Sequence, residues 1–230
     1  ILIHYGVKPG RATGDGWDWV GAGVSGSLNV WYKHGVLFST HTLRIKPMNA
    51  IDLLTTRRSV RHLAEPAPND AQLEIILQAA TQVPDHGNLT PWHFVVVQSE
   101  AGRQAFRHIL KQCAEEIGGE AARKAEVVGQ MAPMVIGVVS KPKLDCPKPK
   151  PEWEQLLSAG CAAYAAQLAA KAQGFDNVWI TGLWVNTAAL REAFGCGEHD
   201  KIIGLLMIGT AQKEASGPKN TDLSELVSRW

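Results

Sequence analysis

Residues 158–173 read SAGCAAYAAQLAAKAQ, a run in which only Tyr164, Gln167, Leu168, Lys171 and Gln173 carry any bulk. Alanine is the best helix former, and a helix with so little side-chain volume lets neighbours approach it closely on most sides. We therefore expect a central, buried helix over Ser158 to Gln173, stopped by Gly174. Cys161 within it reads as a packing residue.

The rest of the chain after Met48 supplies partners for that helix. Asn49 can cap a short helix from Ala50 to about Arg58. Asn69 with Gln72 makes a capping-box-like start for another, whose Leu73, Ile76, Leu77 and Ala80 form one apolar stripe, ended by Pro84. PWHFVVV (91–97) and MVIGVVS (134–140) are β-branched, mostly apolar runs of strand length. A helix is expected between them, from about Gly102 to Ile117. VWITGLW follows Gly174, then a short helix from about Thr187 to Phe194 capped by Asn186, and a buried strand IIGLLMIG from Ile202. Helices and strands mix without regular βαβ alternation, which argues for an α+β fold. Neither GxGxxG nor GxxxxGK[ST] occurs, so no Rossmann or P-loop nucleotide site is supported.

The first 47 residues have a different texture. They hold 8 of the 22 glycines, scatter Trp17, Trp19 and Trp31, and show neither a helical nor a sustained strand period. We expect this stretch to be an upstream or non-native extension with no predicted fold, and residues 48–230 to be the functional domain. Lys plus Arg is 23 against 22 Asp plus Glu. A net charge of +1 offers no bulk attraction to nucleic acid or to an anionic membrane, so any anion site must be local. The four cysteines form no CxxC pair and no zinc-like spacing, consistent with reduced thiols in a cytoplasmic protein. No long apolar stretch marks a membrane span.

TTRRSVRHL (55–63) is where a local anion site is most legible. One or two of its arginines could simply cap the preceding helix. Ser59 and Arg61 continue the polar run beyond the helix end, where a departing chain can converge donors on one ligand. Arginine's planar fork suits phosphate and flat heteroaromatic edges, and serine adds a hydroxyl.

Arg57-Arg58-Ser59-Val60-Arg61, then VPDHGNLTPWHFVVV (83–97), then GFDNVWITG (174–182) come in an order and spacing that resembles the nitroreductase family of FMN enzymes. The AEPAP, PDH, PWHF, SAGCA, AQGF and REAFGC stretches are similar to its small bacterial NAD(P)H-dependent members. Nothing in residues 1–47 shares the resemblance. It implies a central, mostly antiparallel sheet flanked by helices, in an intertwined homodimer with two FMN sites built across the interface. Matched by position, Arg57, Arg58 and Ser59 cradle the FMN phosphate and ribityl end, and Arg61 faces the N1 and C2-carbonyl edge of the flavin ring. Asn88 meets the pyrimidine edge. His86 is an FMN contact in a loop that departs from the commoner serine-rich form. Trp179, Ile180 and Thr181 pass the N5 region, and Gln82 reaches FMN from the other subunit. Lys219 falls near a C-terminal phosphate contact, with Lys213 competing for that role.

On this reading the protein itself supplies no covalent catalyst and no metal site. NADH or NADPH is the co-substrate, and a nitroaromatic, quinone or related small electrophile is the electron acceptor. Two alternatives stay open from the sequence: the same fold with other flavin chemistry (ene reduction, dehalogenation, flavin breakdown), and a non-catalytic flavin-binding protein. His62, His93, His108 and His199 read as surface, capping or strand residues, and Trp92 and Trp184 as core. The Pro- and Lys-rich stretch 141–151 reads as a solvated loop.

Overall fold

A computed structural model describes residues 18–19, 28–33, 36–41, 49–213, 215, 217 and 219–230. Two compact units divide the chain at Pro47. In the first, β1 (Asp18–Trp19), β2 (Leu28–Lys33) and β3 (Val36–His41) form a three-stranded antiparallel sheet, with Lys33 opposite Val36 across a two-residue connection. No fold was expected there. The strands come from short β-branched and aromatic runs, LNVWYK and VLFSTH, which are too brief to register as a sustained period.

The second unit is a helix–sheet–helix sandwich. It contains α1 (Ala50–Thr56), β4 (Leu63–Ala64), α2 (Asp70–Ala80), β5 (Trp92–Val97), α3 (Glu100–Ile117), α4 (Gly119–Val128), β6 (Met134–Ser140), α5 (Glu152–Ala172), β7 (Asp176–Ile180), a 3-10 turn (Leu183–Asn186), α6 (Ala188–Ala193) and β8 (Lys201–Ala211). All strand pairings are antiparallel: β5 on β6, β6 on β8, and both β7 and the short β4 on β8.

Every residue of β6 is buried, because the sheet is covered on both faces. Alternation assigns the faces. Met134, Ile136 and Val138, with Leu206 and Ile208 of β8, pack under α2 and α5 against Ile76, Ala162 and Ala166. Val135 and Val139, with Leu205 and Met207, pack under α3, α4 and α6 against Phe106, Leu110, Val128 and Phe194. A strand buried on both sides reads as a continuous apolar run, which is why MVIGVVS and IIGLLMIG carry no polar alternation.

Helix starts follow the local chemistry. Asn69 and Gln72 form the reciprocal capping box, with side-chain bonds of 3.0 Å each way. The α3 helix begins two residues earlier than expected, capped by Ser99. The cap of α6 is Thr187, whose hydroxyl accepts from Leu190 N–H, and not Asn186, which ends the 3-10 turn instead. The first helix stops at Thr56, so Arg57 and Arg58 lie beyond its last turn. The α4 helix was not expected. The glycine pair 118–119 reads as loop, yet it turns the chain with φ values of 69° and 61° and a second helix follows at once.

The small-residue helix is longer than expected and begins at Glu152. Its buried side holds Ser158, Ala159, Ala162, Ala163, Ala166 and Ala170, so the alanine run does set it close to the sheet. Its other side is open within the chain. Trp153, Leu157 and Tyr164 are exposed, and so is Cys161, which corrects the packing role assigned to it. The loop 141–151 is fastened by the buried Gln155, which accepts from Lys143 N–H at 2.7 Å and donates to the Lys150 carbonyl at 2.8 Å.

Candidate functional site

After α1 the chain turns extended at Arg57 (φ −54°, ψ 131°) and runs beside the start of β7. Val60 N–H donates to the Asn177 carbonyl at 3.0 Å. Asn177 is itself held by Gln167 of α5: Gln167 Nε2 donates to Asn177 Oδ1 at 2.8 Å, and Asn177 Nδ2 donates to the Gln167 carbonyl at 2.9 Å. Both amides are buried, where a fully paired polar pair is rigid and an unpaired one costly. Beyond Val60, the His62 carbonyl accepts from Gln212 N–H at 2.9 Å and Leu63 joins β8. With the Val60 side chain buried, its neighbours Ser59 and Arg61 are left exposed.

Arg57 is half-buried, and its Nη1 is buried without a hydrogen-bond partner among the described residues. A buried donor left unpaired costs about 1–3 kcal/mol, and an anionic oxygen brought to this end of the side chain would supply the missing acceptor. Arg58 is also half-buried.

Arg61 opens onto a cavity of about 590 Å³ that also contains Ile180 and Thr181 from the end of β7. The opposite wall is α4, which contributes Arg123, Lys124 and Val128. Lys124 bonds Glu120 at 3.0 Å, and its ammonium group holds the Glu120 carboxyl below the usual carboxylate range. Trp179 does not join this group. Strand alternation sends its ring to the other face of the sheet, where Nε1 donates to the Ile203 carbonyl at 3.2 Å.

The segment carrying Gln82, His86 and Asn88 lies elsewhere. Asp85 braces it: its carbonyl accepts from Asn88 N–H at 3.1 Å and its carboxylate from Thr90 N–H at 2.6 Å, with Gly87, Asn88 and Thr90 all at positive φ. Gln82, His86 and Asn88 are exposed. His86 Nδ1 lies 2.6 Å from Glu154 Oε2, in the first turn of α5. Gln167, which anchors the arginine segment, is thirteen residues further along α5, a distance of roughly 20 Å at the helical rise. Within one chain the two groups of candidate residues therefore sit toward opposite ends of this helix. Lys213 and Lys219 are exposed after β8, and neither bonds another described residue.

A second, larger cleft of about 1010 Å³ runs along the outer side of α5, floored by Leu156, Leu157, Tyr164 and Leu168 and bounded by Val83 and Pro84 next to the His86 loop. Arg123, Lys124 and Glu154 escaped sequence reading. The first two are on the unexpected α4, and Glu154 meets a histidine 68 residues away, a pairing with no local signal. No group of His, Cys, Asp or Glu among the described residues could hold a metal ion. Burial pushes the thiol of Cys113 up, as it does that of Cys196. No described helix is long and apolar enough to cross a membrane.

Residues 54–210 match the sequence profile of the Nitroreductase family. A Haemophilus influenzae protein named "Putative NAD(P)H nitroreductase" is 54% identical over 170 residues, spanning 73% of this chain and 91% of that protein. The Escherichia coli protein of the same name, YdjA, is 46% identical over 171 residues, spanning 74% and 92%. Among solved structures, a "putative nitroreductase in complex with fmn" from Desulfovibrio desulfuricans superposes with a TM-score of 0.62 at 24% identity, over 80% of this chain and 98% of that one.

Proposed function

This chain belongs to the nitroreductase family, and from that premise we propose that it is an FMN-dependent oxidoreductase taking electrons from NADH or NADPH and passing them to nitroaromatic, quinone or related electrophilic acceptors. The observation that carries the reading is the buried, acceptor-less Nη1 of Arg57, on a segment that the Gln167–Asn177–Val60 chain of bonds fixes beside β7. A phosphate monoester fits that donor. The FMN bound to the D. desulfuricans relative and the nicotinamide donor in the names of the relatives support the same chemistry.

In this proposal Arg57, Arg58 and Ser59 hold the phosphate and ribityl end, Arg61 the pyrimidine edge of the ring, and Ile180 and Thr181, with the Trp179 backbone, the ring's central region. When bound, FMN supplies the two-electron redox chemistry that joins donor to acceptor. Gln82, His86 and Asn88 sit on the loop that His86 ties to Glu154 in the first turn of α5, away from the Gln167 position that holds the arginine segment. We assign them to the site of a second subunit, and the apolar outer side of α5 to the interface of a homodimer. Lys219 is the proposed C-terminal phosphate contact, with Lys213 as its rival. Acid release of the chromophore followed by chromatography tests the proposal: FMN is expected, and FAD or no flavin after reconstitution would overturn it.

Two further outcomes arise here. Arg61 carries a permanent charge, which favours whichever state of a ligand is more negative. A charge-assisted bond of about 1.5–3 kcal/mol felt only by reduced flavin corresponds to roughly 30–65 mV in a two-electron potential. Arg61→Ala should lower the flavin potential by that amount, read by spectroelectrochemical titration; an unchanged potential would show that Arg61 has no electronic role. We also propose that residues 48–230 carry the flavin domain and that residues 1–47 are not needed for it. A chain lacking residues 1–47 should keep its flavin stoichiometry and its melting temperature, and loss of either would make the first unit part of the working fold.

A further inference from the structure

The cavity beside Arg61 is rich in donors and short of acceptors. Arg61 and Arg123 both line it, both are exposed, and neither bonds another described residue. The single acid on its wall, Glu120, is already taken by Lys124 at 3.0 Å. Trp184 beneath it is 6% exposed, and its indole N–H has no acceptor among the described residues. Apart from the Thr181 hydroxyl, the remaining surface is apolar, formed by Val127, Val128, Met131 and Ile180. Two guanidinium groups facing one space whose carboxylate is already paired with Lys124 repel each other, and the arrangement is stabilised when a ligand brings a further anion. The apolar wall meanwhile asks for a flat or hydrophobic body.

We propose that Arg123 is a specificity-determining residue: across the cavity from Arg61, it selects aromatic ligands that carry a carboxylate or similar anionic group over their neutral counterparts. The proposal rests on the FMN reading above, because Arg61 is there placed at the flavin edge and Arg123 is the cation left to the visiting molecule. Arg123 projects from α4, where the ion pair at this wall among the described residues is Glu120–Lys124. Changing it therefore alters charge in the cavity without touching the strands that hold Arg61, Ile180 and Thr181. The preference should also be salt-dependent, since exposed charges are screened over about 8 Å at physiological ionic strength.

The test compares 4-nitrobenzoate with its neutral methyl ester by calorimetric titration of the oxidised protein as purified. The carboxylate should bind about tenfold more tightly than the ester at low salt, the worth of one charge-assisted hydrogen bond, and lose most of that advantage in 0.5 M salt. Arg123→Gln should abolish the preference by weakening the carboxylate alone, and Arg123→Lys should restore part of it. Equal binding of acid and ester to the parent protein, or an equal loss of both in Arg123→Gln, would overturn the inference. Repeating the titration on flavin-stripped protein separates the two claims. A carboxylate preference in a protein that never binds flavin would sink the functional reading and leave the arginine pair standing.

Discussion

Replacing Arg57 by Met should raise the dissociation constant for FMN by roughly ten- to a hundredfold, the range expected when one charge-assisted contact of about 1.5–3 kcal/mol is lost. Methionine keeps the apolar stem in its half-buried slot while removing the guanidinium. Nη1 of Arg57 is buried and has no acceptor among the described residues. Such a nitrogen is a liability in the cofactor-free protein and an asset once a phosphate oxygen faces it. The substitution should therefore leave the melting temperature of flavin-stripped protein unchanged or slightly higher, while lowering that of the FMN-loaded protein. Its flavin potential should stay near the parent value, the reverse of the pattern expected for Arg61→Ala. Fluorescence titration with FMN, paired with melting curves with and without FMN, decides the matter. Unaltered FMN affinity would remove Arg57 from the site.

The other large effect concerns stability. Between Val138 and Val139 the β6–β8 register slips, so that Ile202 and Gly204 pair with neighbouring residues of β6 and Ile203 is the extra residue of a bulge. The bulge frees the Ile203 carbonyl to accept from Trp179 Nε1 at 3.2 Å, and the indole lies against Gly204. A Cβ at Gly204 would stand 2.6 Å from Trp179 Cδ1 and 2.9 Å from the Ile180 carbonyl oxygen. The ring could tilt away, but the carbonyl belongs to β7 and could move only with its strand. Gly204→Ala should therefore destabilise the protein by about 2–4 kcal/mol, combining overpacking with loss of the indole hydrogen bond. For a domain of this size that is roughly 5–15 °C in melting temperature. Adding Trp179→Ala to Gly204→Ala should recover only part of the loss, because the Ile180 carbonyl remains. A change under about 0.5 kcal/mol in the single variant would mean that the bulge absorbs a methyl group, and that Trp179 is not fixed by it.

Local chemistry explains why much of this was legible. The capping box at Asn69 and Gln72, the strand runs 92–97 and 134–140, the alanine-rich helix and the order of RRSVR, PDHGN and WITG are written in neighbouring residues. They yield the same elements whatever surrounds them. Where a boundary moved, as at Ser99 and Thr187, another capping residue one to three positions away won the same contest. The α4 helix was hidden by its two leading glycines, which break a helical pattern in sequence while serving as a tight turn between two helices.

What the sequence determined by itself was the family, the α+β class and the candidate residues on either side of the helix. It could not say which of those residues meet. Only the tertiary structure decided that Trp179 faces away from Ile180 and Thr181, because strand alternation and the bulge at Ile203 set its direction. It also decided that Arg57 ends with an unpaired buried nitrogen, that Arg123 enters the Arg61 cavity, and that His86 is held by Glu154 roughly 20 Å along α5 from the arginine anchor. Each of these is a meeting of groups far apart in the chain. Such meetings depend on which faces pack together, and no short stretch of sequence carries that information.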